Sequence, residues 1–415
     1  MWGVGDIVAI PDLHDQNPII RPAKSPAHIN HNKERSMKTA LKLGAAALLL
    51  TTGMANAESH KGTLSIYHWF EYIPQETLDK FTAETGYAVT MDTYDSNEAM
   101  LASLKAGKMG TYDVAVPSDY MVEIMAADGM LDTVAEGELK NFGNISDGWV
   151  DVSFDPGRKH SVPYQWGSTS FMVNRDKYKG DIRTLDMIFN PPAELSGKIN
   201  VLDSQGEVLA LASIYLGIPQ CSTDRAQLKE LDTLLQSAKP HWASFNSDSA
   251  KDVLVAGDVD VGMIWNGFGA KARNEGAPVE YSYPKEGYVI WADSVVLLKD
   301  APNRDAAIAF MDFMLVPENA AAVTNFAQYT ASVDGVSEYL EESLKTSPEQ
   351  NPPADAVAGT FVQVCDEATQ KVYDQIWTRL KQYARLPVFF SVLSNRTPKA
   401  RSMLAIQRER SWEKP

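Results

Sequence analysis

The sequence is short of basic residues. Its 415 residues hold 38 Lys and Arg against 54 Asp and Glu, a formal net charge of −16. Such a deficit argues against nucleic acid as a partner and favours attraction of cations. Cysteine is nearly absent, with only Cys221 and Cys365. They can form one disulfide or remain two thiols, and spacing does not choose between these. Histidine is scarce too. Only His60, His68, His160 and His241 lie beyond residue 57, with no metal-ligand spacing, and the cysteines form no CxxC pair. There is no Gly-x-Ser-x-Gly elbow, no P-loop and no Gly-x-Gly-x-x-Gly, which leaves a hydrolase or a nucleotide enzyme little to stand on. Internal repeats and low-complexity stretches are also missing. What remains is 44% hydrophobic and 22% charged, an ordinary globular composition. The length allows two lobes with cores of their own.

One apolar run stands out, Leu43–Leu50, behind Met37-Lys38-Thr39-Ala40-Leu41-Lys42 and ahead of Ala55-Asn56-Ala57. A positive start, a short apolar stretch and a small-residue cleavage site make residues 37–57 a secretory signal, with Glu58 as the expected mature N-terminus. The run is too short to span a bilayer as a mature helix. Residues 1–36 precede a complete signal and show no clean periodicity, so they are expected to be a non-native extension with Met37 as the natural start. The tail over 382–415 turns basic, with Arg396, Lys399, Arg401, Arg408 and Arg410, and is likewise expected to be foreign to the fold.

Between these ends the pattern is regular. Thr63–Tyr67 reads as a strand, and Pro74–Thr85 as a helix closed by Gly86. Tyr87–Asp92 is a second strand, and Ser96 caps a second helix that closes near Gly107. Tyr112–Val116 is a third strand, and a third helix begins at Asp119-Tyr120. Over these first three strands, alternation with helices predicts a mostly parallel sheet in a β-α-β-α-β unit. Further strands are expected at His160–Asn174, Lys198–Leu202, Val261–Trp265 and Tyr288–Lys299. Further helices are expected near Glu207–Ala212 and Asn303–Leu315.

In open α/β sheets ligands lie outside the carboxyl ends of the strands. Several predicted strand ends carry the same chemistry. Trp69, Tyr72, Tyr120, Trp265, Trp291 and Tyr329 offer aromatic faces, and Glu71, Glu207 and Asp293 offer carboxylates. Such a set can sandwich an alkyl chain and hold its amino ends. A cation–π contact is worth roughly 0.5–2 kcal/mol, and a hydrogen bond to a charged group about 1.5–3 kcal/mol. Two or three of each reach about −8 kcal/mol, a micromolar affinity, after the cost of association. Taken singly, each aromatic reads equally well as core packing and each carboxylate as a solvated charge. Their common position at strand ends is what favours a binding site.

From Gly62 to Lys381 the chain resembles the periplasmic polyamine-binding proteins of ABC importers, the spermidine/putrescine-binding family. The marks are Ile66-Tyr67-His68-Trp69-Phe70-Glu71-Tyr72, Asp113-Val114-Ala115-Val116-Pro117-Ser118, Pro163-Tyr164-Gln165-Trp166-Gly167, Met263-Ile264-Trp265-Asn266-Gly267, Pro284-Lys285-Glu286-Gly287 and Trp291-Ala292-Asp293-Ser294. The resemblance implies an α/β, two-lobed type II periplasmic binding protein fold with a ligand cleft between the lobes. Residues 62–167 and 292–338 would form lobe 1, and 168–291 and 339–381 lobe 2.

The resemblance also implies roles. Trp69 and Trp265 would stack on the methylene chain, and Trp291 would wall the cleft. Tyr72, Tyr120 and Tyr329 would hydrogen-bond or pack near the amines, with Ser118 a small polar contact. Asp293 would hold a central amine, Glu207 a terminal one with Asp203, and Glu71 and Gln363 would lie near the other end. Phe70 stands where the family often has a hydroxyl, and Ser204 where some members carry an aspartate. Phe268 stands where the putrescine-specific branch has an aspartate, and with Trp291 and Glu71 it leans towards a spermidine-type or broader pocket. The implied partners are a polyamine and an inner-membrane ABC permease, with no nucleic acid, no cofactor, no metal, no enzymatic activity, a monomeric state and a periplasmic location. Two other readings stay open: the same fold holding another organic cation or amino-acid derivative, and a secreted enzyme acting on a cationic metabolite.

Overall fold

The computed structural model describes residues 60–382. The predicted signal over 37–57, the stretch 1–36 before it and the basic tail beyond Gln382 lie outside the described residues.

The chain begins with three parallel strands. β1 (Gly62–Trp69) pairs with β2 (Tyr87–Tyr94) on one side and β3 (Val114–Ala115) on the other. Between β1 and β2 runs the helix Gln75–Thr85, which Gly86 closes in the left-handed conformation at φ 79°. Phe81 on that helix is fully buried and meets Phe310 and Phe313 edge-on at 5.5 and 5.4 Å. Ser96 caps the next helix, accepting from the Ala99 amide at 3.2 Å. Asn303 caps the helix Arg304–Met314 in the same way.

Two long strands then carry the sheet across the molecule. β4 (Ser161–Asn174) and β9 (Val289–Leu297) pair antiparallel from Ser161↔Val296 to Thr169↔Val289, with Gly167 opposite Trp291. On the far side, β5 (Ile199–Val201) runs parallel to β6 (Trp242–Phe245) and β7 (Val261–Trp265), while β7 and β8 (Val279–Ser282) flank β4 antiparallel. The short β10 (Thr330–Ala331) and β11 (Thr360–Phe361) join β4 and β9. The path β2-β1-β3-β9-β4-β7-β5-β6 is thus parallel at both ends and antiparallel in the middle. The first three strands form the parallel β-α-β-α-β unit expected of them, and the antiparallel middle lies outside it. Helix–strand alternation reports crossover connections, and β4 and β9 pair with one another without one. The fold is two-lobed. Among the described residues no single helix is long and apolar enough to cross a membrane. Cys221 and Cys365 are joined in a disulfide, which answers the question their spacing left open.

Candidate functional site

The carboxyl ends of β1, β3 and β7 and the middle of β9 converge on one cavity. Nine of the twelve residues singled out in the sequence line it. The aromatic ones are Trp69, Tyr72, Tyr120, Trp265, Trp291 and Tyr329, and the polar ones are Ser118, Glu207 and Asp293.

Asp293 sits on β9 with only 5% of its surface exposed. Ser118, opposite it in an isolated bridge, donates to Oδ1 at 2.7 Å. Ser118 is itself gripped by Asn97, whose Nδ2 donates to Oγ at 3.0 Å while its Oδ1 accepts from the Ser118 amide at 3.2 Å. The buried Tyr72 hydroxyl lies beside the same carboxylate. Behind the strand, Asp119 accepts from the Ala292 amide at 2.8 Å and from the Tyr120 amide at 2.6 Å, which pins the backbone that carries Asp293. Burial pushes the Asp293 carboxyl up to about 8, against the Ser118 bond and with help from the Asp119 and Glu207 charges. Burial pushes Asp119 up to about 7. A carboxyl held this way has lost hydration that a cation can replace.

Glu207 is the third residue of the helix Gln205–Leu216 and is buried. It takes hydrogen bonds from Thr169 Oγ1 and from Trp265 Nε1, the latter at 3.0 Å. Thr169 in turn accepts from Trp291 Nε1 at 3.1 Å. One carboxylate therefore fixes two indoles, one directly and one through a hydroxyl. Burial raises its pKa, opposed by those donors. Gly167 makes room for the arrangement, since a Cβ there would stand 2.7 Å from the Trp291 ring. On the opposite wall Trp69 Nε1 donates to the Val116 carbonyl at 2.7 Å. His68, fully buried between Tyr72 and Tyr164, is pushed down to about 4 by burial and stays neutral.

Trp69 and Trp265 do not form a parallel sandwich. Their centroids are 6.0 Å apart and the planes cross at 66°. Two ring faces with a methylene chain between them need roughly 7–8 Å, two carbon–carbon contacts. The two ring faces as they stand leave no room for a chain between them. Trp291 and Tyr72 meet Tyr329 edge-on at 5.1 and 5.2 Å, completing a box of rings.

Three of the sequence-derived residues stand apart from the cavity lining. Glu71, at φ 50°, faces Lys271. Asp203 is paired with Lys381. Gln363 is exposed, and its backbone amide donates to Gln220 Oε1 beside the disulfide. Phe70 and Phe268, which the resemblance put at contact positions, line the cavity too. The sequence reading missed Asn97, Asp248 and Val362, which also line it. Asn97 and Asp248 follow the ends of β2 and β6, so the strand-end rule that found Trp69 and Ser118 could have found them. Thr169, in the middle of β4, gave no such signal. Among the described residues no lysine or arginine lines the cavity, whereas Glu207, Asp248 and Asp293 do. Among the described residues no three His, Cys, Asp or Glu side chains are grouped to hold a metal ion. The arrangement can hold an organic cation against buried carboxylates and ring faces.

Known proteins share this architecture. The chain is 33% identical over 340 residues to the spermidine/putrescine-binding periplasmic protein of Escherichia coli, covering 82% of this chain and 97% of that one. It is 33% identical to the putrescine-binding periplasmic protein SpuD of Pseudomonas aeruginosa, covering 84% and 99%. A solved structure of a candidate spermidine/putrescine ABC transporter protein from Listeria monocytogenes superposes with a TM-score of 0.72 at 30% identity, covering 77% and 99%. The family model for bacterial extracellular solute-binding proteins matches residues 76–353. On that match and those relatives, the chain belongs to the bacterial extracellular solute-binding protein family.

Proposed function

We propose that the protein is the periplasmic receptor of a polyamine ABC importer, holding a spermidine- or putrescine-like amine in the cavity and handing it to a membrane permease. The observation that carries this reading is Asp293, a carboxylate buried against Ser118 and Tyr72 in a ring-lined cavity that, among the described residues, no lysine or arginine lines. Trp265 and Trp69 supply ring faces, Glu207 and Asp293 supply charge, and Tyr120 and Tyr329 fill the flanks. The lobes are 62–167 with 292–338 and 168–291 with 339–381. That division is supported by the Gly167↔Trp291 rung, since its boundaries on β4 and β9 fall opposite one another in the register. A turn of β4 and β9 at that rung opens and closes the cleft, and the protein works as a monomer without turning its ligand over.

Titration calorimetry with diamines, spermidine, amino acids and sugars tests the reading. Micromolar or tighter binding confined to amines is the expected result, and amine binding no tighter than sugar binding sinks it. Incubation with the bound amine returns it unchanged, whereas a product would favour a secreted enzyme instead.

Trp265→Ala is expected to weaken amine binding about tenfold. It removes a ring face worth roughly 0.5–2 kcal/mol and takes a donor from the buried Glu207 carboxylate. Unchanged affinity in the same calorimetric assay would return Trp265 to the role of core filling.

A further inference from the structure

The cavity's Phe70–Phe268 end is built differently from its carboxylate floor. Phe268 lies in the first turn of the helix Asn266–Asn274, and Lys271 follows one turn later on the same helix. The Lys271 side chain is only 15% exposed. Its Nζ donates to the Glu71 carbonyl oxygen at 3.2 Å and stands 3.9 Å from Glu71 Oε2. The same Nζ lies 4.5 Å from the centroid of Phe326 and 5.5 Å from that of Phe268. An ammonium flanked by two rings, a carbonyl and a carboxylate is the arrangement by which a protein holds an alkylammonium ligand. Here the protein supplies the ammonium itself, on its own tether.

The charged neighbours point the same way. Glu275, also on this side, is paired with Lys251 at 2.8 Å and offers no second open carboxylate. Burial lowers the Lys271 pKa to about 8 while Glu71 and Glu275 oppose the shift, so the group stays mostly charged at neutral pH. Phe70 and Phe268 leave that end of the wall apolar. The carboxylates that line the cavity, Asp293, Glu207 and Asp248, belong to β9, the helix Gln205–Leu216 and the loop after β6.

We infer that Lys271 determines ligand length: it fills the ammonium position at Glu71, so the cavity accepts a diammonium chain and rejects a third ammonium. The inference rests on the polyamine reading above. Its physical content is exclusion by like charge, together with occupation of the Glu71 carboxylate by Lys271. Glu71 then serves Lys271 rather than the ligand, contrary to the spermidine-type lean of the sequence.

The test is calorimetry of putrescine and spermidine with the native protein and with Lys271→Met, Lys271→Gln and Lys271→Arg. The native protein is expected to favour putrescine. The Met and Gln variants are each expected to move the spermidine-to-putrescine affinity ratio about tenfold towards spermidine, and the Arg variant to keep the native ratio. Adding Glu71→Gln to Lys271→Met should cancel the shift, because the freed carboxylate is what receives the third ammonium. A native preference for spermidine, or a ratio unmoved in both neutral variants, overturns the inference while leaving the polyamine reading intact. No binding of either amine by the native protein overturns both.

Discussion

Asp293→Asn is expected to weaken amine binding between about tenfold and a hundredfold. The substitution keeps the shape and keeps an acceptor for the Ser118 hydroxyl, which donates to Oδ1 at 2.7 Å. It removes only the charge. A hydrogen bond to a charged partner is worth about 1.5–3 kcal/mol, and each 1.4 kcal/mol is tenfold in affinity. Calorimetry at pH 8 measures the loss, and an Asn variant that binds as tightly as the native protein removes Asp293 from the site.

The same substitution has a pH signature. Burial pushes the Asp293 carboxyl from 3.8 up to about 8. At pH 6 an incoming ammonium must therefore displace a proton, whereas at pH 8.5 the carboxylate is mostly formed. An alkylammonium remains charged over this range. Native affinity is expected to rise about tenfold or more from pH 6 to pH 8.5, with proton release at the lower pH. The Asn variant should lack that rise. For stability the sign is the reverse. Between 3.8 and about 8 the folded state holds a proton that the unfolded chain has lost, so the ligand-free protein is most stabilised at the acid end and loses that stability as pH rises. Asp119, pushed up to about 7, acts in the same direction, so the Asn variant should keep part of the slope in a thermal melt.

Breaking the Cys221–Cys365 bond is the second large expected effect. The bond spans 144 residues, and loop-closure entropy grows with the length enclosed. Cys221→Ser with Cys365→Ser is expected to lower unfolding stability by about 2–5 kcal/mol, read as a lower denaturant midpoint. The bond also bears on the cavity. Val362 lines it from a segment tied on both sides to Gln220, whose Nε2 donates to the Phe361 carbonyl at 3.0 Å and whose Oε1 accepts from the Gln363 amide at 3.1 Å. An unchanged midpoint would mean that these bonds, with Tyr373 Oη to the Cys221 amide at 2.9 Å, hold the segment without the covalent link. An oxidising compartment such as the periplasm keeps the bond formed.

The residues legible in the sequence share one property, that a short-range pattern placed them. Trp69, Ser118 and Trp265 each end an apolar run, and a strand's end is where its side chains leave the sheet. Asp293 came from the resemblance and from its place in a long apolar run. Glu71 and Asp203 lay close to correctly placed strand ends yet turned elsewhere, each towards a distant lysine. Lys271 is 200 residues from Glu71, and Lys381 is 178 from Asp203. Thr169 failed in the opposite sense. A threonine within a strand is unremarkable until an indole and a carboxylate arrive on either side of it.

The amino-acid order alone settled the acid surplus, the succession of strands and helices, and the concentration of rings and carboxylates at their ends. These follow from composition, from periodicities of two and 3.6 residues, and from capping chemistry, all of which act within a few neighbours. Folding in three dimensions decided the rest: the antiparallel course of β4 and β9, the pairing of the two cysteines, the edge-on meeting of Trp69 and Trp265, and the choice of Lys271 over a ligand for Glu71. Each of those is a contact between parts of the chain more than a hundred residues apart. Which of several available partners a side chain meets depends on how whole elements pack, and no local pattern carries that information.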